Sequence, residues 1–259
     1  MASNPQSGLP LFYNGLEPLS SQQHAEWKSR RVEGAPFLVG AHAIPVTVEE
    51  IPTAQRYFPI VFSSGPDAVP LALMGLNEGV NTFVDEAGKL TDNVYVPAYA
   101  RRYPWMLARL SPNAQDLSLC FDPTTEVIGP FEDGEPLFVD GQPTDEVKNI
   151  LGFCEQFEMA GQRTAAFMKE LTDQKLLIDG EFTIQQEGYP QPFVYRGFQM
   201  VSEEALQNLR GDVARKMVQS GMMAVIFAHL FSLQLIREVF ARQIEQGKLP
   251  PQQLPVAPL

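Results

Sequence analysis

Three observations predict an α+β fold with a mainly antiparallel sheet in the N-terminal half, packed against a helical C-terminal half that carries a small inserted hairpin. Residues 10–142 are short apolar runs divided by turns rich in Gly, Pro and Ser, the pattern of strands joined by tight connections. From Thr144 to about Gln174, Val147, Ile150, Leu151, Cys154, Phe157, Phe167, Met168 and Leu171 recur largely at three- and four-residue steps, as one face of a helix requires. Residues 176–185 and 192–201 then flank Glu-Gly-Tyr-Pro, with Phe182 and Ile184 alternating, which marks a hairpin inside the helical part.

Residues 1–9 are small, polar and broken by proline, so they read as a flexible arm, and regular structure begins near Leu11. Ser20 and Ser21 precede Gln-Gln-His-Ala-Glu-Trp-Lys and predict an N-capped helix to about Arg31, with Trp27 as its buried anchor and His24 as a packing or surface residue. Residues 37–48 predict a strand interrupted by Pro45, and residues 49–57 a short helix. The runs 58–62 and 70–76, separated by Ser-Ser-Gly-Pro-Asp, predict neighbouring antiparallel strands. Residues 81–85 and 94–96 predict a further hairpin, and 106–109 with 117–122 another strand pair. Asp145 and Glu146 suit the positive end of the helix opened by Thr144, and Gly161 is where that helix would bend or split. Ser202 opens the next helix. Residues 222–236 form the most hydrophobic segment, short of the ~18–20 continuous apolar residues of a membrane span and bracketed by Arg215, Lys216, Arg237 and Glu238, which predicts a buried central helix. The tail, 247–259, is proline-rich and predicts extended chain. Residues 10–246 thus form one domain, β-rich over 10–142 and helical over 143–246.

A chain of 259 residues with 44% hydrophobic and 19% charged side chains can bury a sizeable core. The formal charge of −12 opposes general nucleic-acid binding. Cys120 and Cys154 have neither CxxC spacing nor clustered histidines, so they predict buried thiols, with no metal and no cofactor. The first residues lack the basic start and apolar core of a secretory signal, which predicts a cytoplasmic protein, the alternative being the cell surface by another route. A nucleophile elbow, a phosphate loop and a dinucleotide fingerprint are all missing.

The stretch 95–105, Tyr-Val-Pro-Ala-Tyr-Ala-Arg-Arg-Tyr-Pro-Trp, gathers the chain's recognition chemistry. Arginine forks onto carboxylates or phosphates and stacks on rings, so Arg101 and Arg102 framed by Tyr95, Tyr99, Tyr103 and Trp105 predict a ligand-binding site. This stretch, preceded by Phe-Pro-Ile-Val-Phe, Met-Gly-Leu and Asn81 with Phe-Val-Asp, and followed by Leu-Cys-Phe-Asp122, resembles the bacterial SapC family. The likeness covers about residues 9–245 and is looser in the helical half, at Gly197 and His229-Leu-Phe-Ser232. The resemblance implies an association with a bacterial surface layer and with genes for TonB-dependent receptors and flavin-dependent halogenase-like proteins, and it implies no reaction. The expectation is a non-catalytic binding or assembly protein, linked to the cell surface or to nutrient uptake. Its partner would be a protein, a small anionic ligand or a second copy of the chain. The alternative is an enzyme of unknown class with its site near Arg101, Arg102, Asp122 and His229.

Overall fold

The computed structural model describes residues 8–111 and 116–250, so most of the predicted arm and tail lies outside the described residues. In chain order the elements are β1 (Glu17–Pro18), β2 (Lys28–Ser29), β3 (Ala43–Pro45), α1 (Ile51–Ala54), β4 (Ile60–Ser63), β5 (Pro70–Leu73), α2 (Ala98–Arg102), β6 (Trp105–Ala108) and β7 (Ser118–Phe121). Four two-residue strands follow: β8 (Ile128–Gly129), β9 (Glu135–Pro136), β10 (Phe138–Val139) and β11 (Gln142–Pro143). Helix α3 (Asp145–Asp173) leads into the hairpin β12 (Leu177–Ile184) and β13 (Phe193–Val201), and then come α4 (Glu203–Gln207), α5 (Gly211–Gln219), α6 (Met222–Ser232) and α7 (Ile236–Glu245).

The fold is mixed α+β, with antiparallel sheets through most of the chain and helices concentrated towards its C-terminal part. Its largest sheet has the order β12-β13-β4-β5-β3, every neighbour antiparallel. The hairpin predicted as an insert in the helical half therefore extends the sheet of the N-terminal half. Strands β1, β7 and β6 form a second sheet, and β8, β2 and β9 a third. Helix α3 is long enough, at ~1.5 Å per residue, to serve two cores. Its first turns help bury Trp105, Phe121, Leu137 and Cys154, and its last turns help bury Phe62, Leu171, Leu176 and Ile226. The remaining core lies around Ile44, Ile51, Phe58, Ile60 and Met74.

Four local expectations change. The predicted helix after Ser20 is a turn, because Lys28 and Ser29 pair with β8 on one side and β9 on the other and draw the chain into a strand. His24 is the buried residue of that turn and Trp27 is half-buried; the imidazole accepts from the Ser20 amide at 3.0 Å, reaches Glu17 at 3.0 Å and packs on Trp27 and Phe121. The hairpin expected between 81–85 and 94–96 shrinks to one bridge, Val84 with Leu90. Side chains hold that segment instead of a ladder: Asn81 donates to Leu38 O, Thr82 donates to Met74 O, and Asp85 accepts from the amides of Ala87 and Lys89. Gly161 does not split α3, which runs unbroken from Asp145 to Asp173, since one glycine costs only about 1 kcal/mol in a helix anchored at both ends.

The fourth change concerns α6, which is buried on one side only. Ile226, Ala228, His229 and Ser232 are buried, whereas Phe227 and Phe231 are 41% and 61% exposed. The run Met222–Glu245 is long and apolar enough to cross a membrane by length and composition, with a mean hydropathy of 1.5 over an 18-residue window within it. It is not one regular helix, since a 3-10 turn, Leu233–Leu235, separates α6 from α7.

Candidate functional site

The arginine-aromatic stretch is placed by one carboxylate. Glu50, 7% exposed, accepts from the Thr47 amide at 2.8 Å and the Thr47 hydroxyl at 2.9 Å through Oε2. Through Oε1 it accepts from the Tyr95 hydroxyl at 2.9 Å and the Ala98 amide at 2.6 Å. The turn before α1 and the entry to α2 are thereby joined at a single side chain. Burial raises the Tyr95 phenol above its ordinary range, and the neighbouring Glu50 charge raises it further.

On α2 the two arginines are consecutive, and consecutive helical residues do not share a face. Arg101 is exposed; its guanidinium donates to Val96 O and the Tyr95 hydroxyl and lies over the rings of Phe153 and Tyr95 at 5.2 and 5.8 Å. Arg102 is 5% exposed and lies over Phe157, Tyr99 and Tyr13 at 4.2, 5.1 and 5.9 Å, with Glu158 at 3.4 Å and its own Nε unpartnered. Burial raises the phenols of Tyr13 and Tyr99 and pushes the Cys154 thiol up to about 11, in each case against the pull of Arg102. Tyr103 packs on Phe37 at 4.4 Å and donates to Asp122, and burial with that carboxylate raises it to about 12. Trp105 is buried against Phe121. Of the six residues expected to bind together, Tyr95, Tyr99 and Arg101 line hollows, while Arg102, Tyr103 and Trp105 lie in packed surroundings.

Those hollows adjoin along α3. The larger, about 880 Å³, runs between α3 and the turn joining β4 to β5, and its floor includes Val46, Tyr99, Phe157, Gly161, Ala165 and Met168. The smaller, about 180 Å³, holds Tyr95, Arg101 and Phe153, and both are lined by Thr47 and Phe157. Sequence reasoning missed most of the larger hollow. Its signal was Phe157, Gly161, Ala165 and Met168 at helical spacing, where two small residues lie between two large ones on one face. The lining hydroxyls are already committed: Thr47 donates to Glu50, Thr164 to Ala160 O, Thr172 to Met168 O and Tyr99 to Leu11 O. The Lys169 ammonium is paired with Asp173 at 2.5 Å, Glu49 with Arg163 at 2.5 Å, and Glu50 is filled by its four donors. Among the described residues this leaves Arg101, Lys175 and Asp67 as lining charges without a counter-ion.

The residues of the alternative catalytic reading are held apart by different partners. Asp122, fully buried, accepts from Asn14 N, Tyr103 Oη, Thr124 N and Thr124 Oγ1 and organises the loop after β7. His229, also fully buried, is bonded to Ile60 and Val201 in the central sheet, and burial drives its pKa down to about 4. Among the described residues, no group of three or more His, Cys, Asp or Glu side chains could hold a metal ion.

Fold and site together define an α+β protein with an apolar crevice along its longest helix and unpaired cations at intervals beside it. The SapC family model matches residues 19–239, and the chain belongs to that family. No curated protein and no solved structure matches it.

Proposed function

We propose that this SapC-family protein is a non-catalytic binding protein whose ligand lies in the crevice along α3, with an apolar body in the larger hollow and an acidic group directed to Arg101 or Lys175. The observation that carries this reading is the larger hollow itself. Its volume of about 880 Å³ falls within the ~300–1,000 Å³ of small-molecule sites. Its hydroxyls are committed, so beyond the Gln199 amide and the lining charges the hollow recognises shape and apolar surface. Two unpaired cations against one unpaired acid favour an anionic end. A link to the cell surface or to nutrient uptake would follow from the ligand's source.

Gly161 supplies the test, because a Cβ built there meets nothing within 4 Å, so a larger side chain can enter the hollow without displacing the core. A panel of long-chain and aromatic carboxylates is titrated against the wild type and Gly161→Leu by calorimetry. The expected result is binding of at least one apolar carboxylate by the wild type, a loss of about tenfold or more in Gly161→Leu, and an unchanged or raised melting temperature in the variant. Equal binding by the two proteins would overturn the site.

A further inference from the structure

Helices α5 and α6 present an apolar face that the crevice does not use. Val218, Phe227 and Phe231 are 63%, 41% and 61% exposed, and the two phenylalanine rings stack on each other at 5.8 Å instead of packing inwards. An i, i+4 pair of large rings with this exposure carries an apolar cost in water that a covering surface would remove. The charge around it differs from the charge of the whole chain. From Arg210 to Arg242 inclusive there are five Arg and Lys residues against two acids, Asp212 and Glu238, in a protein of formal charge −12; Arg210 pairs with Asp212 and Arg242 with Asp92. Arg215 and Arg237 are exposed and, among the described residues, have no acidic partner, and Lys216 reaches only Glu170 at 4.0 Å.

We infer that this face rests on an anionic lipid surface, with Phe227 and Phe231 entering the headgroup layer while Arg215, Lys216 and Arg237 meet lipid phosphates. Exposed aromatic side chains on a helix flanked by cations are the pattern of a segment lying in the membrane interface. The segment lies on the surface and does not span it, because the opposite side of α6 gives His229 and Ser232 to hydrogen bonds with β4 and β13 that a spanning helix would have to break. A lipid surface fits better than a second copy. Two copies joined through this face would bring their surplus cations together, whereas anionic headgroups neutralise them. Most of the chain's acids lie outside this segment; Glu170, at 4.0 Å, partly offsets Lys216, which leaves Arg215 and Arg237 as the cations without an acidic partner among the described residues.

The full chain is mixed with vesicles of phosphatidylcholine alone and with vesicles containing about one-third phosphatidylglycerol, and the bound fraction is read by sedimentation. Wild type should bind the anionic vesicles and lose them as salt rises. Phe227→Ser with Phe231→Ser, and separately Arg215→Gln with Arg237→Gln, should each weaken binding about tenfold while melting temperature and secondary structure stay as in wild type. Failure of the wild type to bind anionic vesicles overturns the proposal, as does undiminished binding by either double variant. Sedimentation velocity reads the rival occupant: a wild-type dimer that Phe227→Ser with Phe231→Ser converts to monomer would assign the face to self-association, and the lipid proposal would be withdrawn.

Discussion

His229 donates from Nδ1 to the carbonyl of Ile60 at 2.8 Å, and its Nε2 accepts the Val201 amide at 3.1 Å, so one imidazole joins two strands. Strands β13 and β4 pair at Phe198 with Ser63 and Gln199 with Phe62; two steps further the same register would oppose Val201 to Ile60, and there the ring stands between them. Ser232 completes the link, accepting from Ile60 N at 2.8 Å and donating to His229 O at 2.6 Å. Helix α6 is therefore fastened to the sheet by polar bonds inside an apolar core. His229→Phe keeps a ring against Phe62 but leaves the Val201 amide and the Ile60 carbonyl without partners. It should destabilise the fold by about 2–5 kcal/mol in urea unfolding, since each buried orphan costs about 1–3 kcal/mol.

The same geometry gives stability a pH dependence. In the unfolded chain the imidazole titrates near 6.5, while burial lowers the folded value to about 4. Above pH 6.5 both states are neutral and the contribution is complete; as pH falls towards 4 the unfolded state takes up a proton that the folded state refuses, and stability declines. The loss across this window should be about 3 kcal/mol. Burial also lowers His42, which adds a slope of the same sign, so the informative quantity is the difference in slope between wild type and His229→Phe. Equal slopes would place the titration elsewhere.

Glu50 is the joint on which the position of α2 depends. In Glu50→Gln one oxygen still accepts from Tyr95 and Ala98, but the amide nitrogen faces the Thr47 amide, which can only donate, and the Thr47 hydroxyl, which must turn to accept. A loss of about 1–3 kcal/mol is expected by thermal or urea unfolding, together with weaker ligand binding because Arg101 is carried on α2. An unchanged stability would mean that Thr47 finds other acceptors.

The parts of this fold that were legible in the sequence are those where local pattern and tertiary contact agree. The runs 58–62 and 70–76 are apolar and bounded by Ser, Gly and Pro, and they became β4 and β5. Ser202 caps α4 by accepting from Ala205 N, as its place before Glu203 and Glu204 predicts. The misread parts are those where distant partners decide. Nothing local tells Lys28 and Ser29 that strands about a hundred residues away will pair with them on both sides. Nothing near 81–96 announces that Asn81 and Thr82 will bond to Leu38 and Met74. At the candidate site, residue types identified the aromatic and arginine chemistry, but a two-state view of exposed or buried could not divide Arg101 from Arg102. That division depends on α2, whose five residues have no strong helical pattern.

The two arginines now make opposite predictions. Arg101 is exposed and bonded only to Val96 O and the Tyr95 hydroxyl, so Arg101→Ala should change stability by no more than about 0.5 kcal/mol. If it anchors the acidic group of the ligand, the same change should weaken binding, and Arg101→Lys should restore little of it where the planar fork is used. Arg102 is enclosed by Tyr13, Tyr99 and Phe157, and its acid Glu158 is 38% exposed and so partly screened by water. Arg102→Ala should therefore destabilise by about 2–4 kcal/mol, mostly through lost packing and ring contact. Arg102→Met, which fills much of the space and leaves Glu158 free to turn to solvent, should recover a large part of that loss, since a buried ion pair is often replaced by apolar side chains at little cost. Urea unfolding of the four variants alongside carboxylate titration separates the roles. A destabilised Arg101→Ala, or an Arg102→Met no more stable than Arg102→Ala, would show that the burial of these two side chains does not determine what they do.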